Sequence, residues 1–339
     1  MTKNKKKIIF IAAIAVVAAA SAIAFAMHSD KSENEADAAG NDTVNVPQFN
    51  AENAYKSIVE QCNFGPRVPN TDAHEKCADY IAAAFEKLGY KVTLQTATLP
   101  RYDGVSMKSV NIFASCDTVS ERRILISAHW DSRPWADQDD NEENHKKPVL
   151  AANDGASGVA VMLELARLLQ NDTTLNIGVD FVCFDAEDYG TPQWATTPES
   201  GDTWALGAQY WAENLPQGYE ARYGILLDMV GGEGAKFYQE GVSKQYANEI
   251  VNKVWRTASQ IGYGSFFPMN DGGMITDDHV PVNEKAGIPC IDIIAYYPDC
   301  QQSSFGPTWH TVNDTMEHID PNVLKAVGQT LVQVLYSEQ

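Results

Sequence analysis

Basic residues are scarce in this sequence, and that scarcity limits what the chain can bind. Its 339 residues include 25 Lys and Arg against 45 Asp and Glu, which gives a formal net charge of −20. A surface of this sign repels nucleic acid and offers no basic patch to anionic lipid. We therefore expect no nucleic-acid partner, and small or cationic substrates are the easier ones to bind.

Cysteines are also few, and they form no metal-binding pattern. The six are Cys62, Cys77, Cys116, Cys183, Cys290 and Cys300. They contain no CxxC or paired Cys/His spacing, which excludes a zinc knuckle. An oxidising compartment would permit two disulfides between neighbours in sequence, Cys62 with Cys77 or Cys290 with Cys300. Cys183 lies in an apolar strand pattern and is interpreted as a core residue.

The N-terminal segment predicts export. Four lysines within Lys3–Lys7 precede an apolar run, Ile8–Met27, and Ala24-Phe25-Ala26 fits a signal-peptide cleavage pattern. The run is about 20 residues long, which is also enough to cross a bilayer as an uncleaved anchor. We therefore expect residues 1–27 to be a signal peptide or an N-terminal membrane anchor. The remaining chain would be periplasmic, or anchored in the inner membrane and facing the periplasm.

Composition separates a linker from one folded domain. Residues 28–48 are polar and acidic, which is typical of a flexible linker. The sequence as a whole is 44% hydrophobic and 10% aromatic, and it contains no internal repeat. That supply of apolar side chains is enough for a sizeable core. We expect a single folded domain over residues 49–339.

Alternating hydrophobic patterns predict the fold of this domain. Strand patterns cover Lys91–Leu99, Ser109–Cys116, Arg123–His129, Ile177–Phe184, Tyr223–Val230 and Ile288–Ile294. Helical patterns cover residues 51–62, 71–89, 159–169, 204–214, 244–261 and 321–336. Strands that alternate with helices predict an α/β domain of three layers, with a mostly parallel, mixed central sheet and helices on both faces. Ligands of such sheets bind beyond the carboxyl ends of the strands.

Acidic residues and histidines follow these strands or lie in turns beside them. They are His129, Asp131, Asp154, Asp185, Glu187, Asp188, Asp228 and His310. Each has a structural explanation when taken singly; Asp154, for example, also fits a helix cap. Together, at one edge of one sheet, they match the nitrogen and carboxylate ligands of zinc, with a neighbouring carboxylate available as acid and base. The sequence therefore predicts a catalytic zinc site.

Two sets of motifs resemble known enzymes. The first resembles the metal-binding set of zinc aminopeptidases with two co-catalytic metals, and consists of His129-x-Asp131-Ser132, Asn153-Asp154-Gly155-x-Ser157-Gly158, Glu187-Asp188, Asp228-Met229-x-Gly231 and His310. The second is similar to motifs of the glutaminyl cyclases within that superfamily, and consists of Asp277-Asp278-His279-x-Pro281, Gly287-Ile288-Pro289 and Phe305-Gly306-Pro307-Thr308-Trp309-His310-Thr311. The similarity runs from about residue 50 to the end of the chain.

The resemblance implies a zinc-aminopeptidase-like fold and a glutaminyl-peptide cyclotransferase. Such an acyltransferase converts the N-terminal glutamine of peptides or proteins to pyroglutamate and releases ammonia. The resemblance also implies one Zn²⁺ per chain, bound by Asp154, Asp188 and His310.

The same resemblance implies the other site residues. Glu187 would be the general acid/base, Asp228 would hold the α-amine of the substrate, and Asp277 would join both in an acidic hydrogen-bond network. The residues implied to line the substrate pocket are Trp194, Phe305 and Trp309.

Two positions depart from the cyclase pattern. Asp188 stands where the animal enzymes have Glu, so this ligand has a shorter arm, and Asp292 stands at the position of their last-strand His. His129 and Asp228 are also present, so an aminopeptidase with two co-catalytic metals stays open as the alternative. The acidic loop Asp137–Glu143 is interpreted as a solvated loop rather than a calcium site.

Overall fold

A computed structural model describes residues 45–116, 120–170, 172, 175–196 and 203–338. The predicted export segment, residues 1–27, and the predicted linker as far as residue 44 lie outside the described residues. Among the described helices, none is both long and apolar enough to cross a bilayer. The elements below all belong to one unit, Val46–Gln339.

Six strands form one mixed sheet. They are β1 (Lys91–Pro100), β2 (Ser106–Ser115), β3 (Arg123–His129), β4 (Gly178–Phe184), β5 (Tyr223–Asp228) and β6 (Cys290–Ile294). Their order across the sheet is β1-β2-β4-β3-β5-β6. Strands β4, β3, β5 and β6 run parallel, whereas β2 is antiparallel to both β1 and β4. The predicted mostly parallel, mixed sheet is therefore confirmed.

Within the described residues, seven helices accompany the sheet. They are α1 (Ala51–Asn63), α2 (Asp72–Lys87), α3 (Ala156–Leu169), α4 (Leu206–Glu213), α5 (Gly241–Gln260), α6 (His279–Glu284) and α7 (Pro321–Tyr336), with short 3₁₀ turns at Glu142–Asn144 and Met316–His318. Local capping explains where the longer helices begin. Asn50 and Thr71 accept hydrogen bonds from the first turns of α1 and α2, and Asp320 caps α7 ahead of Pro321. The sequence patterns missed α6, which is too short for a helical period.

The helices cover both faces of the sheet. Alternate residues of β4 point to opposite sides: Val179 and Phe181 join the larger core, and Val182 and Phe184 join the smaller one. The larger core also contains residues of α1, α2, α3, α5 and α7, whereas α4 and α6 contribute to the smaller one. Every residue of β4 is buried, as expected for a central strand covered on both faces. The three-layer prediction is confirmed.

Neither of the two disulfides that the sequence would permit is formed. All six cysteines lie in the described residues, and all six are free thiols. Cys290 is fully buried in β6, where its sulfur occupies the space beside Gly224, while Cys300 lies beyond the strand in a partly exposed loop. Cys183 is buried in β4, so its interpretation as a core residue is confirmed. The core supplies stability here without cross-links.

Candidate active site

The carboxyl ends of the parallel strands meet at one cavity. In the register of β3 and β4, His129 lies opposite Phe184, and both β4 and β5 are followed or ended by acidic residues. The cavity has a volume of about 630 Å³. Its lining residues are Asp154, Glu187, Asp188, Trp204, Asp228, Met229, Met274, Ile275, Thr276, Asp277, Ile294, Phe305, Trp309 and His310. The structure thus brings together residues that are up to 156 positions apart in the sequence (154 to 310).

Asp154, Asp188 and His310, the ligand group, lie close enough to share one metal ion. Their ligand atoms all lie within 4.8 Å of one another. His310 Nε2 is 2.9 Å from Asp188 Oδ1 and 3.6 Å from Asp154 Oδ2. Burial and the positive charge of Arg133 hold the pKa of His310 well below its usual value, so its imidazole is neutral, the form that binds metals.

The ligand group fits a zinc ion by its chemistry and by an unsatisfied atom. One imidazole and two carboxylates are a donor set that zinc accepts, with room for a fourth ligand. Asp188 Oδ2 is buried and has no hydrogen-bond partner among the described residues. Burial and the adjacent Asp154 carboxylate raise the pKa of Asp188 well above its usual value. A cation would offset that repulsion and satisfy the unpaired oxygen.

A second group shares Asp154 with the first. His129 Nε2 is 3.0 Å from Asp154 Oδ1 and 3.2 Å from Asp228 Oδ1, and its Nδ1 is 3.5 Å from Asp131 Oδ1. Burial alone would lower the pKa of His129, but these three carboxylates outweigh it and raise that pKa well above its usual value. His129 is therefore either a protonated partner of the carboxylates or, as in the alternative reading, a ligand of a second metal.

Glu187 lies at the cavity beside both groups. Its side chain is partly exposed, and its backbone N–H donates to Asp131 Oδ1 at 3.1 Å. Burial and the charges of Asp277 and Asp188 raise its pKa well above the usual value, although His129 opposes them. A carboxyl group with a raised pKa can both accept and donate a proton near neutral pH, which suits a general acid/base.

Asp277, Asp278 and Asp292, the acidic group, lie behind Glu187. Asp277 also lines the cavity, whereas Asp278 and Asp292 are fully buried. Both oxygens of Asp278 and both of Asp292 have no hydrogen-bond partner among the described residues. Burial first, and then mutual repulsion, raise the pKa of Asp292 well above its usual value; burial also raises that of Asp228 to about 8. Burial among other carboxylates therefore favours the protonated form of Asp292.

Backbone geometry fixes the residues around the ligand group. Gly155 has a φ of +107°, and a Cβ there would lie 2.6 Å from the carbonyl oxygen of Asp131, so only glycine fits this turn. Asp314 accepts hydrogen bonds from the N–H groups of Asn153 and Asp154 at 2.8 and 3.0 Å. His310 has a left-handed φ of +54°, which is strained for a histidine. The fold holds this ligand in place at a cost in backbone energy.

Aromatic rings enclose the ligand group. Phe305 and Trp309 pack against each other with ring centroids 4.7 Å apart, and Trp309 stacks on His310 at 3.8 Å. Both line the cavity. Trp194 does not; it is 40% exposed and packs on Trp135 at 5.8 Å. Trp204 lines the cavity in addition.

Sequence reasoning missed several residues of the site. They are Arg133, Asp137, Trp204 and Asp314. The interpretation of the loop Asp137–Glu143 as solvated is wrong for its first part. Asp137 is 2% exposed and forms an ion pair with Arg133. Asp139 accepts a hydrogen bond from the N–H of Val312 at 3.1 Å. The spacing of four between Arg133 and Asp137, directly after the His129 motif, was the signal that could have found this pair.

A mostly parallel sheet with acidic residues and histidines at its carboxyl edge defines the class of protein, a zinc-aminopeptidase-like α/β enzyme. The chain belongs to peptidase family M28, whose model matches residues 111–335. Membership of this family implies zinc. Aminopeptidase YwaD of Bacillus subtilis is 30% identical over 63% of this chain, which spans 40% of that relative's length. The glutaminyl-peptide cyclotransferase of Bos taurus is 22% identical over 78% of this chain and 76% of its own.

Solved structures of bacterial enzymes match almost the whole described fold. The glutaminyl cyclase of Bacteroides thetaiotaomicron is 51% identical, covers 87% of this chain and 100% of its own, and has a TM-score of 0.84. That of Tannerella forsythia is 52% identical, with coverages of 86% and 100% and a TM-score of 0.84. A Zn-dependent exopeptidase of Parabacteroides distasonis is 47% identical, covers 86% of this chain and 99% of its own, and has a TM-score of 0.83. The predicted resemblance to glutaminyl cyclases of the zinc-aminopeptidase-like superfamily is confirmed.

Proposed function

We propose that this chain is a zinc-dependent glutaminyl-peptide cyclotransferase. Its substrates are peptides or proteins with an N-terminal glutamine, and its products are the pyroglutamyl chain and ammonia. The observation that carries the proposal is the aromatic wall of Phe305 and Trp309 against the ligand His310, in a chain about half identical to two bacterial glutaminyl cyclases. Such a wall accepts a small neutral side chain and keeps water away from it.

One zinc ion per chain would be held by Asp154, Asp188 and His310. When bound, it supplies Lewis acidity toward the carbonyl oxygen of the substrate's side-chain amide. The protein's own contribution is to hold the α-amine and this amide close together within one bound residue. Intramolecular reactions of well-oriented groups reach effective molarities of about 10⁵–10⁸ M.

Proton transfer falls to Glu187. The α-amine nitrogen forms a bond to the side-chain amide carbon, and the bond from that carbon to the amide nitrogen breaks. Glu187 accepts the proton that the attacking amine loses and donates it to the leaving nitrogen, so ammonia departs and no proton is gained or lost overall. Its raised pKa suits both halves of this exchange.

Asp228 and Asp277 position the substrate and its acid/base. Asp228 lines the same cavity as the aromatic wall and would accept a hydrogen bond from the α-amine. Asp277 extends the network behind Glu187 and Asp228, and its charge contributes to the raised pKa of both. Phe305 and Trp309 would line the pocket for the glutamine side chain; Trp194 is proposed as a more distant contact.

The N-terminal region is proposed to place the enzyme outside the cytoplasm. Residues 1–27 would be a signal peptide or membrane anchor, residues 28–48 a linker, and residues 49–339 the catalytic zinc domain. Protease added to spheroplasts should digest the catalytic domain while a cytoplasmic marker protein stays intact. Protection of the domain in that assay would contradict export.

A second candidate is an aminopeptidase with two co-catalytic metals. The observation that favours it is the second group, His129, Asp154 and Asp228, whose ligand atoms also lie within 4.8 Å of one another. Both candidates use the same general acid/base, so the products must separate them.

The deciding experiment uses a peptide that begins with glutamine. A cyclotransferase releases ammonia and leaves a pyroglutamyl peptide whose first peptide bond is intact, as mass spectrometry would show. Glu187→Gln serves as the matched control, because it should abolish turnover while zinc stays bound. Release of free glutamine, with no loss of ammonia from the intact peptide, would assign the chain to the aminopeptidases.

A further inference from the structure

A buried ion pair lies behind the ligand group and has no part in the chemistry above. Arg133 and Asp137 follow β3 in the loop after His129. The Arg133 guanidinium donates two parallel hydrogen bonds to the Asp137 carboxylate, Nε to Oδ1 and Nη2 to Oδ2, both at 2.7 Å. Their side chains are only 2% and 1% exposed. Because desolvation offsets most of the attraction in a buried pair, stability alone is a weak reason for its presence.

Each member of the pair faces a different residue of the ligand group. Asp137 Oδ1 lies 3.7 Å from His310 Nδ1, an electrostatic contact that is longer than a hydrogen bond. Arg133 Nη1 lies 3.5 Å from Asp188 Oδ1 and donates to the Asp188 backbone carbonyl at 3.1 Å. His310 Nε2, 2.9 Å from Asp188 Oδ1, completes the ring of contacts. The pair thus touches two of the three ligands from behind.

Two tryptophans keep the guanidinium in this position. Arg133 Cζ lies 4.8 Å from the ring centroid of Trp204 and 5.5 Å from that of Trp135. The Trp204 ring is also nearly parallel to the His310 imidazole, at 9° and 6.1 Å between centroids. Cation–π contacts are stronger when the arginine is desolvated, as Arg133 is here. The positive charge is therefore confined beside the ligand group.

We infer that Arg133 and Asp137 are positioning residues that set the affinity of the metal centre. The Asp137 carboxylate favours the tautomer of His310 that carries its proton on Nδ1, which leaves the Nε2 lone pair facing Asp154 and Asp188. A carboxylate behind a metal-binding histidine orients the ring and raises its basicity. Asp137 would act on the metal only through His310.

Arg133 acts on the other ligand. Its Nη1 and His310 both approach Oδ1 of Asp188, whereas Oδ2 of the same carboxylate has no partner among the described residues. These contacts select which oxygen of Asp188 stays available to a cation. The inference rests on the metal centre of the proposed function, but not on the reaction that the centre catalyses.

Zinc affinity is the readout that tests this role. The affinity of the full-length chain would be measured by competition with a chromophoric chelator, for the wild type, Asp137→Asn and Asp137→Ala. We expect a fall of about 10–100-fold, the range found when the outer partner of a metal ligand is removed. Arg133→Lys keeps the charge but cannot form the two parallel hydrogen bonds, so its fall should be smaller.

A second Arg–Asp pair, with a buried aspartate and a partly exposed arginine, provides the matched control. Arg123 Nε donates to Asp180 Oδ2 at 2.6 Å, Asp180 is fully buried, and the pair lies toward the amino ends of β3 and β4, away from the ligand group. Asp180→Asn removes the same charge from the same kind of pair. It should lower the unfolding temperature of the metal-free chain and leave zinc affinity unchanged.

The outcomes separate a positioning role from a structural one. Asp137 also accepts a hydrogen bond from the N–H of Gln193 at 3.1 Å, so some loss of stability is expected in any case. If zinc affinity in Asp137→Asn fell no further than in Asp180→Asn, the inference would be overturned while the proposed function stood. If Asp137→Ala does not fold, the zinc affinities of the near-isosteric variants Asp137→Asn and Arg133→Lys decide whether the pair has a positioning role. A wild-type chain that binds no zinc would overturn both proposals together.

Discussion

The ligand group and the acidic group are two buried sets of carboxylates at the same edge of one sheet, yet their surroundings differ. Asp188 of the ligand group has the Arg133 guanidinium within 3.5 Å, and Asp154 lies 3.0 Å from the His129 imidazole. In the acidic group, Asp278 and Asp292 have four oxygens without a hydrogen-bond partner among the described residues. Burial without donors favours the protonated form of a carboxyl group. Asp188 also has an unpaired buried oxygen and a raised pKa, so the two groups differ in their neighbours. Arg133 and His310 lie within 3.5 Å of Asp188 Oδ1, whereas the nearest imidazole to Asp292, that of His279, is 4.0 Å away. One residue type can thus serve as metal ligand or as proton holder, depending on its neighbours.

Removal of a ligand should have the largest effect on the metal centre. In Asp188→Asn, the buried oxygen that faces the ligand group is lost as an anionic donor, so we expect zinc and activity to be lost together. Asp278→Asn is the matched control, because it changes the same residue type nearby and should retain zinc. Elemental analysis of both purified variants checks this. Equal zinc content in the two would show that Asp188 is not a ligand.

Glu187 lies between the two groups, and its replacement should affect rate but not metal. We expect Glu187→Gln to lower turnover of a Gln-initiated peptide by about 10²–10⁴-fold, the usual loss for a general acid/base. Zinc content should match that of the wild type, since Glu187 is outside the ligand group. Loss of zinc in this variant would move Glu187 from the acid/base role to the ligand group.

Asp228 distinguishes one metal from two. In a cyclotransferase, Asp228→Ala should lower turnover by about 10²-fold, because the attacking amine is no longer held in place. The zinc content should not change. In a two-metal aminopeptidase the same variant should lose one of two metal equivalents, because Asp228 would then be a ligand together with His129. Metal content and turnover measured on the same preparation decide between them.

The acidic group should show the smallest effect, and it should depend on pH. The raised pKa of Asp292 means that the fold favours its protonated form. The contribution of this group to the free energy of unfolding is therefore fully present below its unfolded pKa of about 3.9. That contribution is lost as pH rises toward the folded pKa, at up to about 1.4 kcal/mol per pH unit.

Asn at position 292 mimics the protonated carboxyl group and cannot ionise. Asp292→Asn should therefore match the wild type in stability near pH 4 and exceed it at pH 8, as chemical denaturation at both values would show. A variant that loses stability more steeply than the wild type as pH rises would mean that Asp292 is ionised in the folded protein.

Much of the fold followed from the sequence because its elements are long and strongly patterned. Of the elements in the described part of the chain, the six strands and six of the seven helices lie where the hydrophobic periods indicate, with ends shifted by a few residues. The seventh, α6, has only six residues and contains Pro281, so no period marks it. The sequence left the pairing of the cysteines open, because spacing along the chain says nothing about the distance between two sulfurs; all six are free.

The site was predictable to the extent that its residues directly follow strands. His129, Asp188 and Asp228 fall there because parallel strands deliver their carboxyl ends to one edge. Asp137 could not be placed in the same way. It lies in an acidic stretch that reads as solvated, and only the folded chain buries it against Arg133.

By itself, the sequence determined the order of the strands along the chain and the acidic residues and histidines that end them. These residues define which chemistry is possible. The tertiary structure decided which of these groups act together. It brought His310 to Asp154 and Asp188 and put Trp204 rather than Trp194 on the cavity wall. It also left Asp292 buried with no hydrogen-bond partner among the described residues. The physical reason is that a carboxylate's affinity for a cation or a proton depends on burial and on charges within a few ångströms, and those are set by contacts between distant parts of the chain.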